Sequence, residues 1–157
     1  MKMNKNSFFE AIRSNDKSLL AKHLEEIPDL IKSRDDRGST PLILATYYGH
    51  EEATRILIQN NIDVNEKDSS GNTALLGVCF KGHIKIAEFL IQNGAKVNTT
   101  NATGSSPLIY ASTFNQEEIV KILLLHNADK SIKDQKGKTA LEHAKMQDFN
   151  NIVSLLD

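Results

Sequence analysis

The residues of this chain whose types could support chemistry are a pair of histidines and one cysteine. His50 and His83 belong to the residue type that ligates metal ions, and Cys79 is the only possible thiol nucleophile. Two imidazoles without neighbouring thiols or carboxylates make a poor zinc site. We therefore predict no metal site, and the role of Cys79 depends on the elements that position it.

No recognised catalytic motif accompanies these residues. The sequence contains no Gly-rich phosphate-binding loop, no His-Glu-x-x-His and no Cys-x-x-Cys. An enzyme would need a polar pocket that holds an acid or base of perturbed pKa, and the sequence offers no such constellation. We therefore predict a non-catalytic protein that binds no cofactor.

A repeat of fixed length organises most of the chain. Its markers are evenly spaced glycines, at Gly38, Gly71, Gly104 and Gly137. A period of this size is typical of an array of small stacked units. Asp or Asn stands three residues before each glycine, which is the chemistry of a turn. Thr or Ser stands two residues after it and is a good N-cap, so a helix is predicted to start there in every unit.

Each unit is predicted to hold two short helices. The first helix is expected to end at a column of residues that tolerate the left-handed conformation, namely Gly49, Gly82, Asn115 and Asp148. The second helix carries apolar residues at helical spacing, such as Ile86, Phe89 and Leu90. The sequence therefore predicts an all-α array of helix pairs.

This pattern of turn, Thr-Pro-Leu, helix, Gly-His and second helix resembles the ankyrin repeat. The resemblance covers residues 35–157, and residues 1–34 fit the same frame more loosely, with Phe9 in the column of Leu42 and Asp16 in that of Gly49. It implies one domain, 1–157, folded as a solenoid of about five helix-turn-helix units with projecting turns. The predicted units are a degenerate N-terminal cap repeat at 1–34, full repeats at 35–67, 68–100 and 101–133, and a short C-terminal cap repeat at 134–157.

The resemblance also assigns roles to the candidate chemical residues. In this family a histidine in the column of His50 and His83 bonds loop backbone. Cys79 shares a column with Thr46 and Ser112, where the family prefers small residues packed between helices. We therefore expect a buried and inert thiol.

Composition limits which kinds of partner this chain is expected to bind and in which cellular compartment it is expected to act. The net charge is -1, whereas proteins that bind nucleic acids or membranes usually carry a basic face. A single cysteine allows no intrachain disulfide and favours a reducing compartment. No apolar run is long enough to cross a membrane, and Met1–Asn6 is not followed by an apolar segment of signal-peptide length. We expect a cytoplasmic monomer that binds neither nucleic acid nor membrane.

The placement of aromatic residues indicates a binding surface for a protein partner. Aromatic side chains occupy the last places of successive first helices, which in ankyrin-like stacks face a concave groove beside the turn tips. Aromatic residues and arginine are the usual anchors of protein interfaces. The predicted partner-binding residues are Asp36, Arg37, Ser39, Tyr47, Tyr48, Ser70, Asn72, Phe80, Lys81, Thr103, Ser105, Thr113, Phe114, Lys136, Lys138 and Met146. Two alternatives stay open: a dedicated inhibitor or immunity-type protein would use the same surface, and single rings could fold inward.

One position in the predicted core is unusual. Gly77 lies in mid-helix, and Tyr110 occupies the same column one repeat later. Glycine in a helix costs about 0.5–1 kcal/mol relative to alanine. We expect the ring of Tyr110 to lean into the space that Gly77 leaves, and the alternative is a soft spot in the stack.

Overall fold

The computed structural model describes residues 2–157, and Met1 lies outside the described residues. Across this range the regular structure is entirely helical, with ten α-helices and a short 3₁₀ helix, Pro28–Lys32. The α-helices are α1 (Lys5–Arg13), α2 (Lys17–Glu26), α3 (Pro41–Tyr47), α4 (Glu51–Gln59), α5 (Ala74–Lys81), α6 (Ile84–Gln92), α7 (Pro107–Thr113), α8 (Glu117–Leu125), α9 (Ala140–Met146) and α10 (Asn150–Leu156). The predicted all-α solenoid of helix pairs is confirmed.

The helix pairs stack in chain order. The first helices of the pairs, α1, α3, α5, α7 and α9, pack on one another in series, and each contacts the second helix of its own pair. Contacts between neighbouring units alone are the hallmark of a repeat protein. None of the helices in residues 2–157 combines the length and the apolar character that crossing a bilayer requires.

The core lies between the two rows of helices. Leu57, Leu90 and Leu123 stand in one repeat column, and none of them is exposed to solvent. Cys79 is equally buried, as predicted, and desolvation raises the pKa of its thiol far above the usual range. A buried thiol whose thiolate form is disfavoured in this way is a poor nucleophile.

Local capping interactions set the ends of the first helices. At each predicted start the hydroxyl of the N-cap residue accepts a hydrogen bond from the amide of the third residue along. The residues that follow the helices adopt positive φ, as predicted, at Gly49, Gly82, Asn115 and Asp148. These caps turn the chain into the second helix of every unit.

The N-terminal unit is shifted by one residue from its predicted alignment. Asn15 has the left-handed conformation, with φ 54°, so Asn15 and not Asp16 corresponds to Gly49. Asp16 instead is the N-cap of α2, where its carboxylate accepts a hydrogen bond from the amide of Leu19. Phe8, and not Phe9, therefore corresponds to Leu42. The sequence alone allowed either register because both phenylalanines are apolar, and the structure buries both.

Backbone hydrogen bonds link the second projecting turn to the third and the third to the fourth. The amide of Ala102 donates to the carbonyl of Ser70 at 3.1 Å, and the amide of Gln135 donates to the carbonyl of Thr103 at 2.9 Å. Gly71 makes the first of these contacts possible. A Cβ atom at Gly71 would lie 2.9 Å from the Ala102 nitrogen, closer than real Cβ atoms come to backbone.

Replacing Gly71 by alanine should therefore destabilise the fold more than the same change at Gly137. Both residues hold almost the same positive φ, +76° and +75°, but a Cβ at Gly137 would meet no other atom of residues 2–157 within 4 Å beyond its chain neighbours. Left-handed alanine should cost about 1–2 kcal/mol in both variants, and overlap should add about 1–3 kcal/mol in Gly71→Ala alone. Urea unfolding of the two variants measures the difference, and equal losses would contradict the contact.

Candidate partner-binding groove

Four aromatic side chains form a contiguous row along the stack. The rings of Tyr48 and Tyr47 lie 5.7 Å apart, edge to face. Tyr47 stacks nearly parallel to Phe80 at 6.5 Å, and Phe80 meets Phe114 edge to face at 4.7 Å. These are favourable arrangements for aromatic pairs. We call this row, Tyr47, Tyr48, Phe80 and Phe114, the aromatic groove.

The aromatic groove is open to solvent. The exposed fractions are 37% for Tyr47, 51% for Tyr48, 40% for Phe80 and 43% for Phe114. The alternative that these rings fold fully inward is therefore wrong. Each ring is instead held by its neighbours on one side while the other side remains available for contact.

Side chains at the starts of the second helices hold the backbone that carries this row. His83 donates from Nε2 to the carbonyl oxygen of Tyr47 at 3.1 Å, and His50 does the same to Arg13 at 3.0 Å. Gln116 takes this role in the next unit and donates to the carbonyl oxygen of Phe80 at 3.1 Å. The two histidines bond backbone of the preceding unit, but the carbonyl groups belong to the last residues of α1 and α3 and not to a loop, as the resemblance had implied. The described residues contain no group of three or more His, Cys, Asp and Glu side chains arranged to hold a metal ion.

A cavity of about 770 Å³ opens in the middle of the aromatic groove. This volume lies within the range of about 300–1,000 Å³ that is usual for ligand sites. The cavity is lined by residues of α3, α5 and α7 and by residues that cap them, namely Ile43, Leu44, Tyr47, Tyr48, Thr73, Gly77, Phe80, Tyr110 and Phe114. The remaining lining residues are Arg13 at the end of α1 and the turn residues Asp35, Arg37, Ser39, Asp68 and Asn72. Because Gly77 contributes no side chain, we call this space the Gly77 cavity.

Tyr110 does not fill the space beside Gly77, so that expectation was wrong. Within 4 Å of a Cβ built on Gly77 the structure has only Cδ2 of Tyr47, at 3.8 Å. The hydroxyl of Tyr110 instead accepts a hydrogen bond from Nδ2 of Asn101 at 2.9 Å. A half-buried phenol gains more from this bond than from apolar contact alone, because an unpaired polar group costs free energy.

Replacing Gly77 by alanine should consequently stabilise the protein. The added methyl group would meet Tyr47 at ordinary van der Waals distance, and alanine is favoured over glycine within a helix by about 0.5–1 kcal/mol. Thermal and urea unfolding should both show the gain. A loss of stability would mean that the space beside Gly77 is not open.

The structure distributes the predicted partner-binding residues unevenly. Arg37, Ser39 and Asn72 line the Gly77 cavity together with the four rings. Lys81 contacts the groove differently, because its ammonium group lies 5.0 Å from the centre of the Tyr47 ring. The other predicted residues that are exposed lie outside the cavity lining: Asp36, Ser70, Thr103, Lys136, Lys138 and Met146. Thr113 is half-buried and also lies outside it.

Ser105 is buried and cannot contact a partner, so its prediction was wrong. Its exposed fraction is 7%. Its amide donates to Oδ1 of Asn101, and its hydroxyl lies 3.3 Å from the hydroxyl of Thr103. The turn therefore uses this side chain internally.

Several lining residues were not predicted from the sequence. Arg13, Asp68 and Tyr110 belong to three different units, and the fold brings them to one cavity. A local signal existed for part of this set, because Asn101 and Tyr110 are bonded nine residues apart, as are Asp134 and His143. The same spacing of nine residues leads from Asp68 to Gly77. Comparing the units in this way would have shown that Asp68 has no side chain at the equivalent position to bond.

The Asp134–His143 contact illustrates the electrostatics of these turns. Nε2 of His143 lies 2.7 Å from Oδ2 of Asp134. Burial opposes ionisation of Asp134, but hydrogen bonds from the amide of Lys138, from His143 and from the amide of Lys136 outweigh it, so the pKa of this carboxyl is lowered. The turn thus holds Asp134 as a carboxylate.

Comparison with known protein families matches almost the whole described chain. A family model of ankyrin repeats in three copies matches residues 8–101 and 97–156. No curated protein matches the chain significantly.

Proposed function

The chain belongs to the ankyrin repeat family, whose members generally mediate protein–protein interaction, and on this premise we propose that it binds a protein partner through the aromatic groove and the adjacent turn tips. The family is typically a non-catalytic interaction module. Our proposal accordingly involves no turnover and no cofactor. It includes the cytoplasm as the site of action, because one buried thiol suits a reducing compartment.

The exposure of four contiguous aromatic rings is the observation that carries this proposal. The chain has only six phenylalanines and three tyrosines, yet four of these residues share one solvent-facing row. Contiguous apolar surface of this kind marks interaction sites in soluble proteins. Aromatic residues in the centre of an interface typically contribute about 2 kcal/mol or more each when truncated.

Polar residues at the turn tips would supply selectivity for the partner. Asp36, Arg37, Ser70 and Thr103 are exposed in the projecting turns, and Arg37 also lines the Gly77 cavity. A polar rim around an apolar centre is the usual anatomy of an interface. Charged rim residues also discriminate against partners of the wrong charge.

Comparative capture from cell extract tests the proposal. We would immobilise the parent chain, the groove variant Tyr48→Ala/Phe80→Ala and the control variant Gln59→Ala/Gln92→Ala. Gln59 and Gln92 are exposed at the ends of α4 and α6 and lie outside the cavity lining. Proteins that the parent and the control capture, and the groove variant loses, identify the partner by mass spectrometry. Equal capture by all three proteins would rule out the groove.

The same measurement separates the two roles that the groove allows. A single stoichiometric partner would indicate the dedicated inhibitor or immunity-type role. Several partners captured through the same surface would indicate an adaptor.

A further inference from the structure

The Asp or Asn that begins each of the four projecting turns makes the same hydrogen bonds in every turn. In the second turn Oδ1 of Asp68 accepts the amides of Ser70 and Asn72, at 2.8 and 2.9 Å. Oδ1 of Asp35, Asn101 and Asp134 accepts two amides of its own turn in the same way. The second polar atom of each side chain, Oδ2 or Nδ2, is left for another partner.

Three of the four turns satisfy this second atom within the protein. Nδ2 of Asn101 donates to the hydroxyl of Tyr110 at 2.9 Å. Oδ2 of Asp134 accepts from His143 at 2.7 Å. Oδ2 of Asp35 forms an ion pair with the guanidinium of Arg13, which belongs to the N-terminal unit, at 3.5 Å.

Asp68 is the exception. The residue nine positions after it, equivalent to Tyr110 and His143, is Gly77, which has no side chain to offer. Within residues 2–157 no hydrogen bond or ion pair reaches Oδ2 of Asp68. Asp68 is half-buried and lines the Gly77 cavity. The cavity lining thus combines aromatic rings with Asp68, whose Oδ2 has no hydrogen-bond or ion-pair partner among the described residues.

We propose that the Gly77 cavity receives an arginine side chain of the protein partner, whose guanidinium pairs with Asp68 and stacks on the rings of the aromatic groove. This inference rests on the proposed function and specifies its partner chemistry. A planar guanidinium matches a carboxylate and stacks on aromatic faces, which an ammonium group does less well. In the preceding unit Arg13 already makes the equivalent ion pair with Asp35.

The other charges in the groove bear on a cationic occupant. Lys81 lies over the ring of Tyr47, so this row already attracts a cation within the chain itself. Arg13 is paired with Asp35 and also lies 3.7 Å from Glu10. Arg37 is exposed and lines the cavity, so it would repel an incoming guanidinium. Removing the charge of Arg37 should therefore strengthen arginine binding, whereas removing the charge of Asp68 should weaken it.

A capped amino acid serves as the probe. N-acetyl-arginine amide and its neutral near-isostere N-acetyl-citrulline amide are titrated into the ¹⁵N-labelled full chain, and backbone shifts at Gly77 and Phe80 are followed by NMR. The variants are Asp68→Asn and Arg37→Gln. Asp68→Asn should fold normally, because Asn101 holds the same turn position and accepts the same two amides.

The arginine probe should shift the cavity signals and bind the parent about tenfold tighter than the citrulline probe, since charge-assisted pairs are the strong ones. Asp68→Asn should abolish that preference, and Arg37→Gln should strengthen arginine binding. Equal affinity of the two probes, an unchanged preference in Asp68→Asn, or no saturable shift at Gly77 would each overturn the inference. Loss of arginine binding in Arg37→Gln would also overturn it, because Arg37 would then support the bound probe instead of repelling its guanidinium.

Adding Asp68→Asn to the capture experiment separates this inference from the proposed function. Loss of the partner by both Asp68→Asn and the aromatic variant supports the arginine site. Retention by Asp68→Asn with loss by the aromatic variant leaves the groove as the binding surface and rejects the arginine. Retention by both variants rejects the groove itself.

Discussion

Replacing Tyr48 and Phe80 together by alanine is expected to weaken partner binding by at least roughly a hundredfold. Interface anchors of this type contribute about 2 kcal/mol or more each, and every 1.4 kcal/mol or so is a tenfold change in affinity. Both rings are exposed, so the affinity change should far exceed the stability change. Isothermal titration of the captured partner against each single variant and the double variant measures the effect.

The fold of the double variant must be checked alongside its binding. Phe80 packs against Phe114 at 4.7 Å, and loss of such a pair costs about 0.5–1.5 kcal/mol beyond buried area. We therefore expect an unchanged helical spectrum and a modest fall in unfolding midpoint. Unfolding of the variant would show that the rings serve the core, and unchanged affinity in a folded variant would place the binding site elsewhere.

Replacing Leu90 by alanine is expected to destabilise the protein by about 2–5 kcal/mol, the range for truncation of a fully buried leucine. Leu90 has no exposed surface and lies in α6 in the middle of the stack. Loss of its side chain should leave a cavity between neighbouring units, because a helical stack relaxes only partially around it. Equilibrium unfolding in urea measures the loss as a shift in midpoint.

A second leucine provides a matched control for this change. Leu125 is the last residue of α8 and is 79% exposed. Its replacement by alanine should alter stability by no more than about 0.5 kcal/mol, as for most surface changes. A comparable loss of stability at both positions would contradict the burial of Leu90 and the exposure of Leu125.

Most of the repeat architecture could be predicted because its determinants are local. The Asp or Asn of each turn bonds amides two and four residues away, and the Thr or Ser N-cap bonds an amide three residues away. Such interactions are complete within a few residues, so residue types at fixed spacing are enough to identify them. The exposure of the aromatic row was expected from the resemblance to the ankyrin repeat, in which these positions face the concave groove.

The N-terminal register could not be predicted from the same local signals. Phe8 and Phe9 are both apolar, and neither residue carries a turn or cap signal that fixes the phase. The structure resolves the phase through Asn15, whose left-handed conformation makes it the equivalent of Gly49. In this register α1 packs against α3 of the next unit.

The sequence by itself determined the number of helix pairs, their caps and the row of aromatic residues. Tertiary structure alone decided that Tyr110 bonds Asn101 instead of filling the space at Gly77, that Ser105 is buried, and that Oδ2 of Asp68 has no partner among residues 2–157. In each case the side chain has several possible hydrogen-bonding or packing partners. The partner that it takes depends on distances between units and on which polar groups are already bonded, and the sequence pattern contains neither.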